Sequence, residues 1–309
     1  MIKKTLYFGN PAYLSLRLSQ LVVSVPDDKD DLPSELGRRE VKTIPIEDIG
    51  VVVLDHRQLT ITSSAIEALL EANAAVITCD SKSMPVGLLL PLCGNSVQSE
   101  RFRDQIDASL PLRKQLWQQT VEQKILNQSA VLQYSTGNSH LIMTNWANSV
   151  RSGDPDNMEG RAAAYYWKNL FPELPWFTRG QDGPSPNALL NYGYAIVRAV
   201  IARALVSSGM LPTLGIHHHN RYNAYCLADD IMEPYRPVVD KLVVDIIKSG
   251  DTAPQLNKAI KAKLLSLPVT DVIIDGHRSP LMIAATTTTA SLYKCFNGTA
   301  RKLIYPELL

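Results

Sequence analysis

Three short segments in the second half of the sequence carry the side chains best suited to bind a metal ion. They read NMEGRAAAYYW at 157–167, GIHHHN at 215–220 and ADDIMEPYRP at 228–237. Carboxylate oxygens are the donors that Mg²⁺ prefers, and an imidazole nitrogen suits Mn²⁺, Fe or Zn better than Mg²⁺ alone. A glutamate, a histidine and a second acid together predict a mixed site for Mg²⁺ or Mn²⁺. Such an ion can polarise a phosphodiester and activate a hydroxyl nucleophile.

Each segment also has a simpler structural interpretation when it is taken alone. Glu159 lies near the start of a predicted helix, where an acid commonly complements the helix dipole. Three of the six histidines follow one another at 217–219; at most two of them share a face of an extended segment, and a solvated loop explains an isolated cluster equally well. No cysteine lies in 157–167, 215–220 or 228–237, which disfavours a closed structural zinc site.

The third segment places two acids beside a predicted helix kink. Asp230 and Glu233 are three residues apart and therefore neighbours on one helical face. Pro234 removes a backbone hydrogen bond and kinks the helix directly after the second acid. Both carboxylates then face a common cavity. A salt bridge to Arg236 is the alternative interpretation of the same acids.

The elements that must position these side chains predict an α+β protein with two domains. A small β-rich domain is predicted over 1–92 and a larger all-α domain over 96–309. Residues 16–25 alternate apolar and polar side chains, as one half-buried strand does, and the charged segment 25–40 is predicted to be an exposed loop. Helical periodicity covers 99–134, with a break at Pro111, and then 158–170, 187–209, 223–248, 254–266 and 279–294.

Composition and charge restrict the classes of protein to which the sequence can belong. The 309 residues are 45% hydrophobic and 20% charged, with a formal net charge of +1, which disfavours a protein that coats nucleic acid nonspecifically. No run of 18 uncharged apolar residues occurs, so no membrane span is predicted. The first residues lack a signal-peptide pattern, and the four cysteines include no C-x-x-C pair. A cytoplasmic protein is therefore expected.

Several strings of this sequence resemble the CRISPR adaptation integrase family, in the form found in type II systems. The strings are NMEGRAAAYYW at 157–167, NALLNYGYAIVRA at 187–199 and GIHHHNRYNAYCLADDIMEPYRPVVD at 215–240. Weaker similarity extends to the N-terminal strands and to the segment LRKQLWQQTVEQKILNQ. The resemblance therefore covers almost the whole chain and implies a β-rich N-terminal domain that dimerises and a helical catalytic domain.

The resemblance also implies roles for individual residues. The family's metal ligands correspond to Glu159, His218 and Glu233, which would also be the catalytic residues, and Asp230 corresponds to a supporting acid. His218 is selected over its two neighbours because the family's histidine follows a glycine by three positions, and here that glycine is Gly215.

Four residues close to these ligands are candidates for contacts with DNA. Arg161, Arg221 and Arg236 are candidates for phosphate binding, although Arg236 has the alternative of orienting a carboxylate. Tyr165 or the neighbouring Tyr166 is a candidate for stacking on a splayed base.

The implied activity is metal-dependent insertion of a short captured DNA, the prespacer, into a CRISPR array, by attack of a 3′-hydroxyl on a phosphodiester. The implied partners are double-stranded DNA, a second copy of the chain and the second CRISPR adaptation protein, without a membrane. Two alternatives stay open from the sequence. One is a generic metal-dependent nuclease with the same ligands, and the other is a catalytically idle DNA-binding subunit of the adaptation complex.

Overall fold

The computed structural model describes residues 2–26, 38–250 and 255–308. The chain divides into two compact units, Met1–Gly94 and Asn95–Leu309. Most of the predicted exposed loop, residues 27–37, lies outside the described residues. The ends of that segment belong to two strands that pair with each other.

Two four-stranded sheets and a helix make up the part of the N-terminal unit that is described. The elements are β1 (Lys4–Phe8), β2 (Ala12–Arg17), β3 (Gln20–Pro26), β4 (Arg38–Pro45), β5 (Ile49–Leu54), β6 (Leu59–Ile61), α1 (Ser63–Glu71), β7 (Ala75–Cys79) and β8 (Pro85–Leu89). One sheet has the order β1-β5-β7-β8 and the other the order β4-β3-β2-β6. The prediction of an α+β fold that begins with a β-rich region is confirmed.

The core of the N-terminal unit consists of apolar side chains from strands of both sheets and from α1. Leu14, Leu21, Ile49, Val52 and Leu69 are all buried in one cluster. Leu69 comes from α1, which packs against both β2 and β7. The helix therefore packs against one strand of each sheet and contributes to the core that the two sheets share.

The prediction of one strand over residues 16–25 is wrong, because the segment is a hairpin. Strand β2 ends at Arg17 and β3 begins at Gln20, with Leu16 paired to Leu21. Leu18 and Ser19 form the turn with φ of 50° and 57°. Two-residue hairpin turns with positive φ normally use Asn, Asp or Gly. The Leu-Ser pair therefore does not indicate a turn in the sequence.

The second unit is helical apart from one short hairpin in its described part. Its helices are α2 (Gln98–Asp107), α3 (Leu110–Thr136), α4 (Leu141–Asn148), α5 (Met158–Asn169), α6 (Asn187–Ser207), α7 (Cys226–Met232), α8 (Arg236–Lys248), α9 (Lys258–Leu264) and α10 (Leu281–Phe296). The hairpin pairs β9 (Asp271–Ile274) with β10 (His277–Pro280). Neither the hairpin nor α4 was predicted.

The predicted breaks at Pro111 and Pro234 both occur. Pro111 lies in the first turn of α3, after a gap from α2, and a proline is tolerated there because the first-turn N–H has no helical partner. The predicted helix over 223–248 is divided into α7 and α8 by a 3₁₀ turn, Glu233–Tyr235, that contains Pro234. This break places Glu233 at a corner between two helices.

Helices α3 and α6 form the interior of the second unit. Helix α3 packs against α4, α5, α7 and α8, and α6 packs against α7, α8 and α10. Among the described residues, α6 is the one helix long and apolar enough to cross a membrane, and 72% of its most apolar window is buried within the structure. Its apolar side chains are therefore used in packing against other helices.

Candidate functional site

The candidate site begins with one face of helix α3. Trp117, Val121, Lys124 and Gln128 follow each other at spacings of four, three and four residues, so they lie on the same side of the helix. All four are buried. A lysine in such a row is uncommon in protein interiors unless an acid pairs with it.

Lys124 joins the two glutamates that the sequence singled out. Its Nζ lies 2.6 Å from Oε1 of Glu159 and 2.6 Å from Oε2 of Glu233. The glutamates come from different elements, the first turn of α5 and the corner between α7 and α8. Two carboxylates distant in sequence therefore share a single cation.

The electrostatic environment keeps Glu233 ionised. Burial alone would raise its pKa, but the charges of Arg236 and Lys124 outweigh burial and lower the pKa to about 2. Arg236 donates from Nε to Oε1 of Glu233 at 2.8 Å. Burial likewise disfavours the charged form of Lys124, yet Glu233 and Glu159 raise its pKa. The buried groups are therefore charged because they are paired.

Other residues cap helix α5, which leaves the Glu159 side chain available to the site. Asp154 accepts hydrogen bonds from the backbone N–H groups of Met158 and Glu159 at 2.8 and 3.0 Å. Asn157 accepts from Gly160 N–H at 3.1 Å. The interpretation of Glu159 as only a partner of the helix dipole is therefore incomplete, since its carboxylate points to Lys124.

Asp230 fixes the orientation of His218. The fully buried carboxylate of Asp230 contacts Nδ1 of His218 at 2.5 Å and accepts from the backbone N–H of His217 at 2.9 Å. This contact raises the pKa of His218 against the effect of partial burial. Because Nδ1 faces Asp230, Nε2 is the nitrogen left to bind an ion. A carboxylate behind a histidine is the arrangement that commonly orients metal-binding imidazoles.

Gly215 allows the histidine loop to approach Asp230 closely. A Cβ atom at this position would lie 2.3 Å from the carbonyl oxygen of His218 and 2.8 Å from Oδ2 of Asp230. Real Cβ contacts are not this short, so any side chain here would displace the loop. The glycine therefore has a steric role in placing His218.

The other two histidines occupy different positions. The ring of His217 stacks on Trp117 with 4.1 Å between centroids and 3° between planes. The ring of His218 meets the same indole edge-on, at 5.5 Å. Burial, followed by the charge of His218, lowers the pKa of His217. His219 is exposed and lines a cavity of about 370 Å³ together with His218 and Arg221.

A second buried acid lies behind Glu233. Asp240 accepts hydrogen bonds from the hydroxyls of Tyr166 at 2.8 Å and Tyr194 at 2.5 Å. The guanidinium of Arg236 lies over the ring of Tyr194, with Cζ 4.7 Å from the ring centroid. Asp240 thus supports the arginine that holds Glu233. A cavity of about 150 Å³ is lined by residues that include Lys124, Glu233 and Asp240.

The candidate DNA-contacting residues fall into two groups. Arg221 is exposed and donates to its neighbour Tyr222, and Arg161 is exposed above the ring of Trp146 at 6.0 Å. Tyr165 is partly exposed and contacts Nδ1 of His140 at 3.1 Å. Arg236, by contrast, orients the Glu233 carboxylate, which was its alternative role.

The prediction that Tyr166 is an alternative to Tyr165 for stacking on a DNA base is wrong. Its side chain is fully buried and its hydroxyl bonds Asp240.

The structure brings Glu159, Glu233 and Lys124 into direct contact, and it places His218 and Asp230 next to them. The charges of Glu159 and Glu233 both act on His218. Within residues 2–26, 38–250 and 255–308, no three His, Cys, Asp or Glu side chains form a ready-made cluster for an ion. The Lys124 ammonium lies between the two carboxylates instead.

Sequence reasoning missed Lys124 and Trp117, although a signal for them was present. Both lie on the buried row of α3, seven residues apart. A buried lysine in a row with Trp117 and Val121 indicates a buried ion pair. The partners of that lysine are the glutamates already selected, so the row also points to where the site lies.

The chain is similar in sequence to proteins of one family. A sequence model of the family described as "CRISPR associated protein Cas1" matches residues 6–265. A CRISPR-associated endonuclease Cas1 of Neisseria meningitidis is 36% identical over 312 residues, which cover 100% of this chain and 97% of that protein. A second Cas1 endonuclease, from Saccharolobus solfataricus, is 28% identical and covers 77% of this chain and 73% of that protein.

Solved structures share the fold at lower sequence identity. A casposase bound to an integration product superposes with a TM-score of 0.77 at 20% identity, over 98% of this chain and 92% of that one. A Cas1 protein from Thermotoga maritima gives 0.72 at 15% identity, over 96% and 97%. A Cas6-RT-Cas1–Cas2 complex gives 0.70 at 20% identity, over 97% of this chain and 35% of that chain.

Proposed function

We propose that this chain, which belongs to the Cas1 family of CRISPR-associated proteins, is a metal-dependent DNA endonuclease and integrase of CRISPR adaptation. The observation that carries the proposal is the pair of glutamates that share one cation, Lys124 Nζ at 2.6 Å from each. Next to them lies an imidazole that Asp230 orients through Nδ1. The Neisseria relative, which aligns with the whole chain, is named an endonuclease.

The donor set fits a hard divalent ion. Glu159, Glu233 and Nε2 of His218 would hold Mg²⁺ or Mn²⁺, two oxygen ligands and one nitrogen ligand. The fit rests on the ionised state of Glu233 and on a cation that the two carboxylates already share. When bound, the ion would supply Lewis-acid polarisation of a phosphodiester and stabilise the charge of the leaving oxygen.

The residues of the chain then position the reacting groups. Arg236 fixes one oxygen of Glu233 and leaves the other directed toward the centre of the site. Asp230 and the stack of His217 on Trp117 fix the histidine loop. Positioning and charge stabilisation are the main contributions that a protein makes to phosphoryl transfer.

In the joining reaction the 3′-hydroxyl of a prespacer attacks a phosphodiester of the array. One bond forms between the attacking oxygen and phosphorus, and the bond to the array's own 3′ oxygen breaks, so the number of phosphodiesters is unchanged. The attacking hydroxyl loses its proton and the leaving 3′ oxygen takes one up, so the protons also balance. Water in place of the hydroxyl gives simple cleavage. The likeness to a casposase bound to an integration product supports the joining reaction, because the same fold accommodates joined DNA there.

The proposed assembly contains double-stranded DNA, two copies of this chain and a Cas2 partner. The likeness to a chain of a Cas6-RT-Cas1–Cas2 complex supports the Cas2 partner. Dimerisation through the β-rich unit stays a prediction from the family resemblance. Arg161, Tyr165 and Arg221 stay the candidate contacts to DNA.

An integration assay tests the proposed function. Purified chain and its Cas2 partner are incubated with a labelled prespacer, a supercoiled plasmid carrying the array, and Mn²⁺. We expect covalent prespacer–plasmid product, and we expect Glu159→Ala, His218→Ala and Glu233→Ala each to reduce its rate by about 10² or more, as loss of a charge-stabilising group does. Glu173→Ala, at an exposed acid, is the control that should keep the rate.

Each alternative function has its own outcome in this assay. Nicked plasmid without joined product would assign the chain to the generic nucleases. Formation of joined product at the wild-type rate in all three alanine variants would assign the chain to the catalytically idle DNA-binding subunits. Loss of product in the three variants but not in Glu173→Ala separates the proposal from both.

A further inference from the structure

We propose that Lys124 is a built-in counter-cation of the site, which holds Glu159 and Glu233 together until a divalent ion displaces its ammonium group. The inference rests on the proposed function, because it requires the ion to bind between these two carboxylates. It adds a positioning residue that controls how tightly the ion is held.

The contacts of Lys124 match those of a cation shared by two ligands. Its Nζ lies 2.6 Å from one oxygen of each glutamate, and its side chain is 10% exposed. The three residues come from three elements, α3, α5 and the corner between α7 and α8. The ammonium thereby links the parts of the second unit that meet at the site.

Without this ammonium the two glutamates would lose the cation that they share, and their like charges would repel each other. Glu233 is 6% exposed, and a buried carboxylate that loses its partner is strongly destabilising. Arg236 donates from Nε to the other oxygen of Glu233, whereas Lys124 contacts both acids. Lys124 therefore keeps the site assembled while no divalent ion is bound.

The same position makes Lys124 a competitor of the ion. Metal–oxygen bonds of about 2.0–2.6 Å to Glu159 and Glu233 need the oxygens that the ammonium now contacts. The ammonium and the divalent ion also repel each other at such distances. Binding of the ion must therefore move the ammonium away from at least one carboxylate.

The structure offers a place to which the ammonium can move. Lys124 and Gln128 both line the cavity of about 150 Å³ behind Glu233. Gln128 is four residues further along the same helix face, it is 3% exposed, and its Oε1 has no hydrogen-bond partner within the described part of the chain. The lysine stem is flexible, and the cavity that it lines contains this buried acceptor without a hydrogen-bond partner.

The test replaces Lys124 by a neutral side chain and measures binding of Mn²⁺ and not only activity. Mn²⁺ titration calorimetry and thermal unfolding, in EDTA and in Mn²⁺, are carried out on the full chain, on Lys124→Gln and on Lys114→Gln. Lys114 is an exposed lysine of the same helix and serves as the matched control.

We expect three changes in Lys124→Gln that Lys114→Gln does not show. The Kd for Mn²⁺ falls by about tenfold or more, because no ammonium competes with the ion for the two carboxylates or repels it. The Tm in EDTA falls, because Glu159 loses its contact with Lys124 and Glu233 keeps only its pair with Arg236. The rise of Tm on adding Mn²⁺ is larger than in the wild-type chain. Loss of folding in EDTA that Mn²⁺ restores also supports the proposal.

The contrary outcomes separate this inference from the proposed function. An equal or weaker affinity of folded Lys124→Gln for Mn²⁺ overturns the role of Lys124 alone. A Lys124→Gln chain that Mn²⁺ cannot restore to a folded state overturns it as well, since the ion then does not replace the ammonium. Absence of Mn²⁺ binding in the wild-type chain and in Lys124→Gln alike overturns the metal site, and this inference with it.

Discussion

Two buried carboxylates that line the same cavity have opposite pKa shifts. The pKa of Glu233 is lowered to about 2, whereas burial raises the pKa of Asp240 to about 6. Burial acts in the same direction on both groups. The difference arises because Glu233 has direct ion pairs with Lys124 and Arg236, while Asp240 accepts hydrogen bonds from tyrosine hydroxyls, which offset burial only in part.

The raised pKa of Asp240 predicts a specific pH dependence of stability. The folded state binds this proton more tightly than an unfolded chain, whose aspartate titrates near 3.8. The stabilisation is therefore fully present below pH 3.8 and is lost as the pH rises through about 6. Asp240→Asn removes this titration, so its free energy of unfolding relative to wild type should increase between these pH values, by on the order of 2–3 kcal/mol.

Urea unfolding at a series of pH values measures this difference. Asp245→Asn removes a carboxylate from the same helix, α8, without contact to Tyr166 or Tyr194, and serves as the control. A constant stability difference between Asp240→Asn and wild type across the window would contradict the assignment.

At the scale of elements, the histidine loop depends on the absence of a side chain at Gly215. Gly215→Ala would place Cβ 2.3 Å from the carbonyl oxygen of His218, so the loop has to shift away from Asp230. Because that carboxylate orients the imidazole, we expect Mn²⁺ affinity to fall about 10- to 100-fold, with the helical fold retained. Mn²⁺ titration and far-UV circular dichroism measure both effects.

Gly180→Ala is the matched control for this change. The nearest atom to a Cβ at Gly180 lies 3.9 Å away, so the substitution fits without movement. Unchanged Mn²⁺ affinity in Gly215→Ala would show that the loop does not need this close approach.

The elements could be predicted where local chemistry decides them. Pro111 and Pro234 cannot continue a helix from the preceding turn, and the breaks occur at both. Helices α5, α6 and α10 begin and end within a few residues of the periodic segments. The turn at Leu18-Ser19 could not be predicted, because neither residue type favours positive φ.

The contacts within the candidate site could be predicted only in part. Glu159, His218 and Glu233 were selected through the family resemblance, and the structure places the two glutamates on one ammonium. The buried row of α3 marks Lys124 as one member of an ion pair, but it does not mark the partners, which lie 35 and 109 residues away. Helix packing decides such long-range pairs, and no local pattern records which helices will meet.

At the scale of the whole molecule, the charge is nearly balanced. The chain has 31 Lys and Arg against 30 Asp and Glu. Many of the basic groups near the site are already engaged with acids, as are Arg198 with Asp229 and Arg236 with Glu233. Attraction of DNA must therefore come from the local arrangement of exposed cations and not from the net charge.

Because the net charge of the chain is close to zero, we expect single exposed arginines to contribute measurably to DNA binding. Arg221 is exposed at the cavity next to His218 and contacts a tyrosine hydroxyl. We expect Arg221→Ala to weaken duplex binding and to reduce the slope of log affinity against log salt by about one unit. Fluorescence anisotropy between about 50 and 200 mM salt measures the slope.

Arg278→Ala is the control, because this exposed arginine is already paired with Asp271 at 2.8 Å. Its slope should equal that of the wild-type chain. Equal slopes for Arg221→Ala and wild type would remove Arg221 from the DNA-contacting surface.

The indole of Trp117 gives the site an optical reporter of its own. Its ring lies face to face with one imidazole and edge-on to a second, and a nearby imidazolium quenches an excited indole by accepting an electron. Any ligand that binds His218 or moves the histidine loop should therefore change the fluorescence intensity of Trp117. The site can in this way be followed in solution without a dye, once the other three tryptophans of the chain have been replaced by phenylalanine.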